Sequence, residues 1–512
     1  MKYLNTLVAL LCCFPSFLTH GQIAKERPNV LLIYTDDHRY SGIQALMQQE
    51  VETPNLDQLI AEGISFDKTY LMGAFTGATC TPSRAMLLTG KQLFNLEGQG
   101  HTIPPTHATL PQTLEGAGYH TYHVGKWHND MASLARMFKD GARVSGKPAY
   151  LTDQFRMPFS DWKKEGYYIK KNSYLLQYDA EGNTVKIPIT GNEKKGPVAT
   201  EANGPHVSEV LADASIDFLE GYKKRKPFFM YLAFPTPHDP RQAPKAFKDK
   251  YPPAEIQLSP SFMAQHPFDN GHMVLRDEEL APWPRTPEII QEHLSDYYAI
   301  ITHLDAQIGR VVAALKTQGL YENTLIVMAG DSGLAVGNHG LMGKQNIYDE
   351  DGIHVPFIIS GGALANSYKN KRITSFAYIH DIMPTVLDLV GVPVPETVDG
   401  KSLMPLLGAD AKPVRESTYH AYLQFQRAYR QGDFKLIEYV RAPNKKGSLS
   451  GSRVTQLFNI AEDPWERLDL SAMPDYQPIL RRLQTAMRQK AIQLKDVADT
   501  KRSVTHFWDY YN

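Results

Sequence analysis

The chain has 512 residues, 42% of them hydrophobic and 21% charged, with a formal net charge of −1 at pH 7. This length supports more than one core, roughly two to four domains, and the composition excludes a disordered or fibrous chain. A charge so close to zero provides no global field that would draw the protein to nucleic acid or to an anionic membrane.

The first residues read as a secretory signal peptide over 1–21. Lys2 precedes an apolar run from Leu7 to Leu18, broken by Pro15 and ending near Thr19-His20-Gly21. That run is too short to span a bilayer, and no later stretch is long enough. The expected location is therefore outside the cytoplasm, periplasmic or secreted. Cys12 and Cys13 leave with the signal, and neither follows the small residue a lipoprotein signal requires. Losing the single charge of Lys2 takes the net charge from −1 to −2. The mature chain keeps one cysteine, Cys80. It has no partner for an internal disulfide, and an odd exported thiol is expected to be reactive or modified.

Further along, apolar runs repeatedly end in polar residues. Asn29-Val30-Leu31-Leu32-Ile33-Tyr34 is nearly continuous, as in a strand buried on both faces, and gives way to Thr35-Asp36-Asp37-His38. Thr53-Pro54 opens a helix that runs through Ala61 and closes at Gly63. His120 to Val124 leads into Gly125-Lys126-Trp127-His128, and Phe228 to Phe234 leads into Pro235-Thr236-Pro237-His238. Thr324 to Ala329 leads into Gly330-Asp331-Ser332-Gly333. Helical patterns lie between these strands, among them Val207 to Gly221 and Pro287 to Leu320. The alternation predicts an α/β fold with a large doubly wound, mostly parallel sheet flanked by helices. In such a sheet the C-terminal strand ends share one edge, where ligands bind.

Residues 131–200 are less regular and read as an insertion near that edge. The run Lys223-Lys224-Arg225-Lys226 reads as a solvated helix end. From about residue 406 the pattern changes. Ser417 to Tyr422, Ala428 to Arg430 and Phe434 to Ile437 read as antiparallel strands, followed by Gln456-Leu457-Phe458-Asn459 and a helix from Gln477 to Leu494. The expected organisation is a main domain over 22–405 and a smaller C-terminal α+β subdomain with an antiparallel sheet over 406–512.

The central stretch is Cys80-Thr81-Pro82-Ser83-Arg84-Ala85-Met86-Leu87-Leu88-Thr89-Gly90-Lys91. Pro82 suits the first turn of a helix, where its missing N–H costs nothing, and Ala85 to Leu88 are strong helix formers. Cys80 therefore sits at a helix N-terminus, which favours an anion, with Arg84 four residues on and on the same face. Without the rest of the run, a buried thiol at a helix start would be the plainer reading.

The Cys-x-Pro-Ser-Arg core followed by Leu-Thr-Gly resembles the maturation signature of the type I, formylglycine-dependent sulfatases of the alkaline phosphatase superfamily. The Leu-Phe-Asn and Asp463-Pro464-Trp465-Glu466 phrases resemble that family's C-terminal subdomain. The resemblance implies that residues 22–405 form the catalytic domain and that a maturase converts Cys80 to Cα-formylglycine. Asp36 and Asp37 would repel each other unless a cation lay between them, and oxygen ligands favour Ca²⁺ or Mg²⁺ over zinc. With Asp331 and Cys80 they resemble the family's calcium site. Ser332 departs from the usual Asn or His there, with Asn338 or water available to complete the shell. Lys126, His128, His238 and Lys344 match the family's basic residues, whose charge stabilises the leaving oxygen in a dry pocket. The implied mechanism has a hydrate oxygen of residue 80, activated by metal and Arg84, attack sulfur. His238 or Lys344 protonates the departing alcohol, and His128 takes a proton as sulfate is expelled. A second departure puts His354 where the family commonly has Arg, and no role is assigned to it.

The substrate implied is a sulfated carbohydrate. Arg276-Asp277-Glu278, Pro284-Arg285-Thr286 and Gln426-Arg427 are polar clusters suited either to sugar contacts or to plain salt bridges. Two other readings compete: a phosphodiesterase or phosphonate monoester hydrolase of the same superfamily, and a catalytically silent glycan-binding protein.

Overall fold

The computed structural model describes residues 27–47, 50–146, 153–164, 172–190, 198–223, 225–408, 411–441, 452–496 and 507–511. The signal expected over 1–21 lies outside these residues. An eight-stranded sheet runs in the order Lys371–Ile373, Ile64–Phe66, Phe357–Ser360, Thr324–Gly330, Asn29–Asp36, Phe228–Pro237, His120–Trp127 and Asp140–Gly146. The last five of these are mutually parallel, and only Phe357–Ser360 runs against its neighbours. The fold is thus the expected α/β sheet.

Asn29–Asp36 is buried along its whole length because both faces of the sheet are covered. Val30, Leu32 and Tyr34 point into one core with Ala85, Leu87 and Leu88 of the helix Cys80–Thr89. Leu31 and Ile33 point into another with Leu211 of Val207–Gly221 and Leu304 and Ile308 of Pro287–Thr317. The period-two alternation of the strand therefore serves two helical layers. The long helix stops at Thr317 rather than Leu320, and Gln318 already caps it. Part of the region read as an insertion belongs to the sheet: Asp140–Gly146 is its edge strand, beside His120–Trp127.

Four antiparallel strands, Ser417–Tyr422, Gln426–Gln431, Phe434–Arg441 and Ser452–Asn459, form the C-terminal sheet, and the helix Gln477–Gln493 packs on it. A fifth strand comes from far upstream. Gly73–Ala74 pairs parallel with Ser417–Tyr422, so the segment that leads into Cys80 is built into this sheet. Gly73 has φ 120, and a Cβ there would sit 1.9 Å from Ala421 O. Only glycine permits that approach. Buried Asp349 pins the two parts together, paired with Arg430 at 2.8 Å and Lys435 at 2.5 Å, both from the C-terminal sheet. His354 has a structural place here: it stacks on Tyr40 with centroids 4.0 Å apart and bonds Glu350 at 2.9 Å.

Two of the polar clusters are internal. Arg285 is buried against Glu278 at 2.5 Å, and Arg427 is buried against Asp496, Nε to Oδ2, at 2.6 Å. Neither is a surface for sugar. Burial would raise the Asp496 pKa, but Arg427, with help from Tyr419 and Trp508, holds it down at about 2. Arg427→Met should therefore destabilise the fold by about 3–5 kcal/mol, since it leaves a buried carboxylate unpaired. Asp496→Leu in the same chain should recover much of that loss, read as urea-unfolding midpoints. Because the Asp496 pKa is depressed, the stability it contributes is present above about pH 4 and fades as pH falls toward 2.

Candidate active site

The register of the parallel strands delivers the site. Thr35 lies opposite Gly330 and Asp36 opposite Pro237, so Asp36, Asp331 and His238 emerge side by side at the C-terminal edge. One strand further along, Gly125 pairs with Ala233, and a bulge between Val124 and Lys126 aims the lysine toward the same place. Lys126 lies inside the strand rather than after it. The helix Cys80–Thr89 brings Cys80 as its first residue, all ten of its residues are buried, and Gly90 ends it in the left-handed region.

Three carboxylates meet three fixed cations here. Arg84 does not stay with Cys80: its Nη2 bonds Asp36 at 3.0 Å and Asp331 at 3.1 Å, and its Nη1 bonds Tyr231 OH at 3.2 Å. Lys126 is paired with Asp36, and Lys344 with Asp37 at 2.5 Å. Burial alone would raise the Asp36 pKa, but Lys126 and Arg84, then His238 and Lys344, hold it well below the usual carboxylate range. Asp331 goes the other way, pushed up to about 7 by burial and by the charge of Asp36. For Lys344, burial is outweighed by Asp37 first, and the ammonium is held well above its ordinary value.

This donor set fits a hard cation. Asp36 Oδ1 and Asp37 Oδ2 are buried and make no hydrogen bond among the described residues, an arrangement that costs free energy unless an ion satisfies them. Ligand atoms of Asp36, Cys80 and Asp331 lie within 4.8 Å of one another, as do those of Asp36, Asp37 and His238. Both groups share Asp36. Ser332 Oγ donates to Asp37 Oδ1 at 3.1 Å and is also 3.4 Å from Asp331 Oδ1, so it sits within the cluster. Asn338 is buried, and among the described residues its side-chain amide makes no hydrogen bond, to the carboxylates or to any other group.

Cys80 Sγ lies 3.1 Å from His128 Nδ1. Burial pushes the thiol up to about 11, against the pull of Lys126 and Lys344. Burial, then Lys126, holds His128 well below its ordinary value, so it is neutral at pH 7. His238 Nδ1 donates to Asp239 O at 2.7 Å, which directs Nε2 to the site, 3.7 Å from Asp37 Oδ2. A cavity of about 460 Å³ opens above these groups, lined by Cys80, His128, His238 and Lys344, and by His272, Arg276, Asp277 and Gln345 on the remaining wall. Every expected site residue is thus brought to one place. Of the polar clusters, Arg276 and Asp277 reach it. Asp239, His272 and Gln345 were missed; Asp239 and Gln345 adjoin expected residues, and His272 carries no local signal.

Residues 28–392 match the family model Sulfatase, and residues 337–493 match N-sulphoglucosamine sulphohydrolase, C-terminal. An arylsulfatase of Clostridium perfringens is 27% identical over 469 residues, covering 88% of this chain and 92% of its own. The fold is similar to a protein solved in complex with its substrate D-glucosamine-2-N,6-O-disulfate, with TM-score 0.70, 22% identity and coverage of 93% and 100%. It is also similar to a phosphonate monoester hydrolase of Agrobacterium radiobacter, with TM-score 0.66, 20% identity and coverage of 92% and 95%.

A thiol titrating near 11 is almost wholly protonated at neutral pH and a poor nucleophile. In protein made without a maturase, alkylation of Cys80 by iodoacetamide should be slower than that of free cysteine at pH 7. Its rate should still be climbing at pH 10, by about tenfold per unit, as followed by mass spectrometry. A plateau below pH 9 would contradict the assigned environment.

Proposed function

The chain belongs to the sulfatase family and is a sulfuric ester hydrolase, and on that basis we propose that it desulfates a carbohydrate. Residue 80 would act as Cα-formylglycine, and Asp36, Asp37 and Asp331 would hold a calcium ion. One observation carries this reading: the Sγ of Cys80 lies within 4.8 Å of carboxylate oxygens of both Asp36 and Asp331, on a cavity that also presents His128, His238 and Lys344. The N-terminal apolar segment and the lone mature cysteine support export, periplasmic or secreted, and a maturase as partner.

When present, the formylglycine hydrate supplies a nucleophilic oxygen and calcium makes it acidic enough to act at neutral pH. The chain's own residues do the rest. Arg84 locks Asp36 and Asp331 in place with two hydrogen bonds. Lys126 and Lys344 place positive charge in a nearly dry site, where it stabilises a departing oxyanion far better than water could. His128, neutral and next to residue 80, is placed to accept its proton. His238 keeps one proton on Nδ1, bonded to Asp239 O, and turns Nε2 toward the site, the position from which a general acid meets the departing alcohol.

The fold likeness to a phosphonate monoester hydrolase keeps a second reading in play. A phosphonate monoester carries one negative charge, as a sulfate ester does, so charge alone does not separate the two readings, and the relative turnover of a sulfate ester and a phosphonate monoester by the matured enzyme does.

In protein made with a maturase, the peptide carrying residue 80 should contain an aldehyde, and Cys80→Ala should abolish sulfate release with the fold intact by circular dichroism. Fully active enzyme with an unmodified thiol would sink the mechanism. Calcium binding, measured by calorimetry, should vanish in Asp36→Asn, and the activity of chelator-stripped wild type should be restored by Ca²⁺ better than by Zn²⁺. His238→Ala should slow sugar sulfates by about 10²–10⁴-fold but an activated aryl sulfate much less, since the aryl oxygen leaves unaided. His128→Ala should slow both alike. Equal losses on both substrates for His238→Ala would move the acid role to Lys344.

A further inference from the structure

The cavity wall beyond the reacting groups has a charge pattern of its own. Arg276 is half exposed there, with 50% of its side chain accessible, yet its guanidinium is already committed. Nη1 and Nη2 donate to the two oxygens of Asp239 at 2.9 and 2.8 Å. Nε and Nη2 donate to Asp277 Oδ1 at 2.8 and 2.5 Å. Four of its five N–H groups are taken, so it has no parallel fork to offer a second anion. One cation between two carboxylates leaves this group formally at −1, with Arg276 and Asp277 on the cavity and Asp239 buried behind them.

The neighbours do not reverse that sign. Gln345 Nε2 donates to Asp277 Oδ2 at 2.8 Å, adding a neutral amide. His272 Nδ1 lies 2.7 Å from Tyr422 OH, and burial lowers the ring's pKa below its ordinary value, so it carries no charge at pH 7. Burial would raise the Asp277 pKa, but Lys344 and Arg276 lower it to about 2, and the carboxylate stays ionised. Lys344 also lines the cavity, and its ammonium is engaged with Asp37.

We propose that this wall selects a singly sulfated sugar that is otherwise uncharged. Asp277, locked by Arg276, accepts hydrogen bonds from its hydroxyls and, with the charge of Asp239 behind Arg276, repels a second sulfate or a carboxylate beside the scissile ester. A free guanidinium would have done the reverse. The inference rests on the sulfatase reading above and deepens it by fixing the charge of the leaving group.

The test compares kcat/KM for galactose, glucose and N-acetylglucosamine monosulfates with that for the disulfate made from each, using matured enzyme, with 4-nitrophenyl sulfate as a control. The best monosulfate should exceed its disulfate by about tenfold or more. Asp277→Asn should bring that ratio toward one, because it removes one repelling charge and leaves Arg276 less neutralised. Arg276→Gln should widen the ratio, because two carboxylates then stand unneutralised. A misfolded variant would slow every substrate by the same factor, so the opposite signs cannot come from misfolding. Equal or faster turnover of the disulfates, ratios unmoved by both variants, or turnover of the aryl sulfate alone would overturn the wall's role. No sulfate release from any substrate would overturn the sulfatase reading, and this inference with it.

Discussion

The site depends on keeping several like charges in a space without water. Asp36 is fully buried and is contacted by Arg84 and Lys126, with Lys344 within 4.0 Å. Remove those cations and its carboxylate would have to be protonated, because the cost of burying a bare charge far exceeds any packing gain. With them, the charge is kept and one oxygen is left over. The neighbouring Asp331 shows how fine the balance is: the same burial, with Asp36 as a neighbour, pushes it up to about 7. A divalent ion would bring both carboxylates to their ionised forms at once. The arrangement is stable as protein and reactive as a site for the same electrostatic reason.

Much of this was legible in the chain. Buried parallel strands read as unbroken apolar runs, so the polar residues that end them mark the sheet edge, and Asp36, His238 and Asp331 were found that way. The Cys80 helix was legible from Pro82, Ala85 to Leu88 and Gly90. What stayed hidden depends on partners distant in sequence. Arg427 and Asp496 are separated by 69 positions, and nothing near either shows that each exists to neutralise the other. Arg276 looked like Arg285 and Arg427, yet it alone faces the cavity, since that depends on how residues 260–277 fold against the Lys344 loop. The bulge at Val124/Lys126 is likewise a property of register with Asp140–Gly146, which local composition does not encode.

His238 and Asp239 illustrate how one loop serves both halves of the cavity. The backbone carbonyl of Asp239 fixes the histidine's tautomer, while its carboxylate holds Arg276. A change in what the wall accepts is therefore coupled to the orientation of the acid. Substitutions of Asp239 should not be additive with those of His238, whereas Asp277 lies one contact further away.

The pairing of Gly73–Ala74 with Ser417–Tyr422 sets a clock on maturation. Cys80 is 1% exposed in the finished structure, and the strand just before it is closed into the C-terminal sheet. An enzyme performing the proposed conversion would have to reach Cys80 before this pairing buries it. Ala421, which pairs with Gly73, is synthesised 348 residues later, by 421 − 73. At ordinary rates of synthesis the gap is roughly 17–70 s. The conversion proposed for Cys80 would thus compete with folding, and a chain that closed its second sheet first would keep the thiol. Yield of active protein would then be governed by kinetics, with slower elongation or delayed folding raising it and faster refolding lowering it.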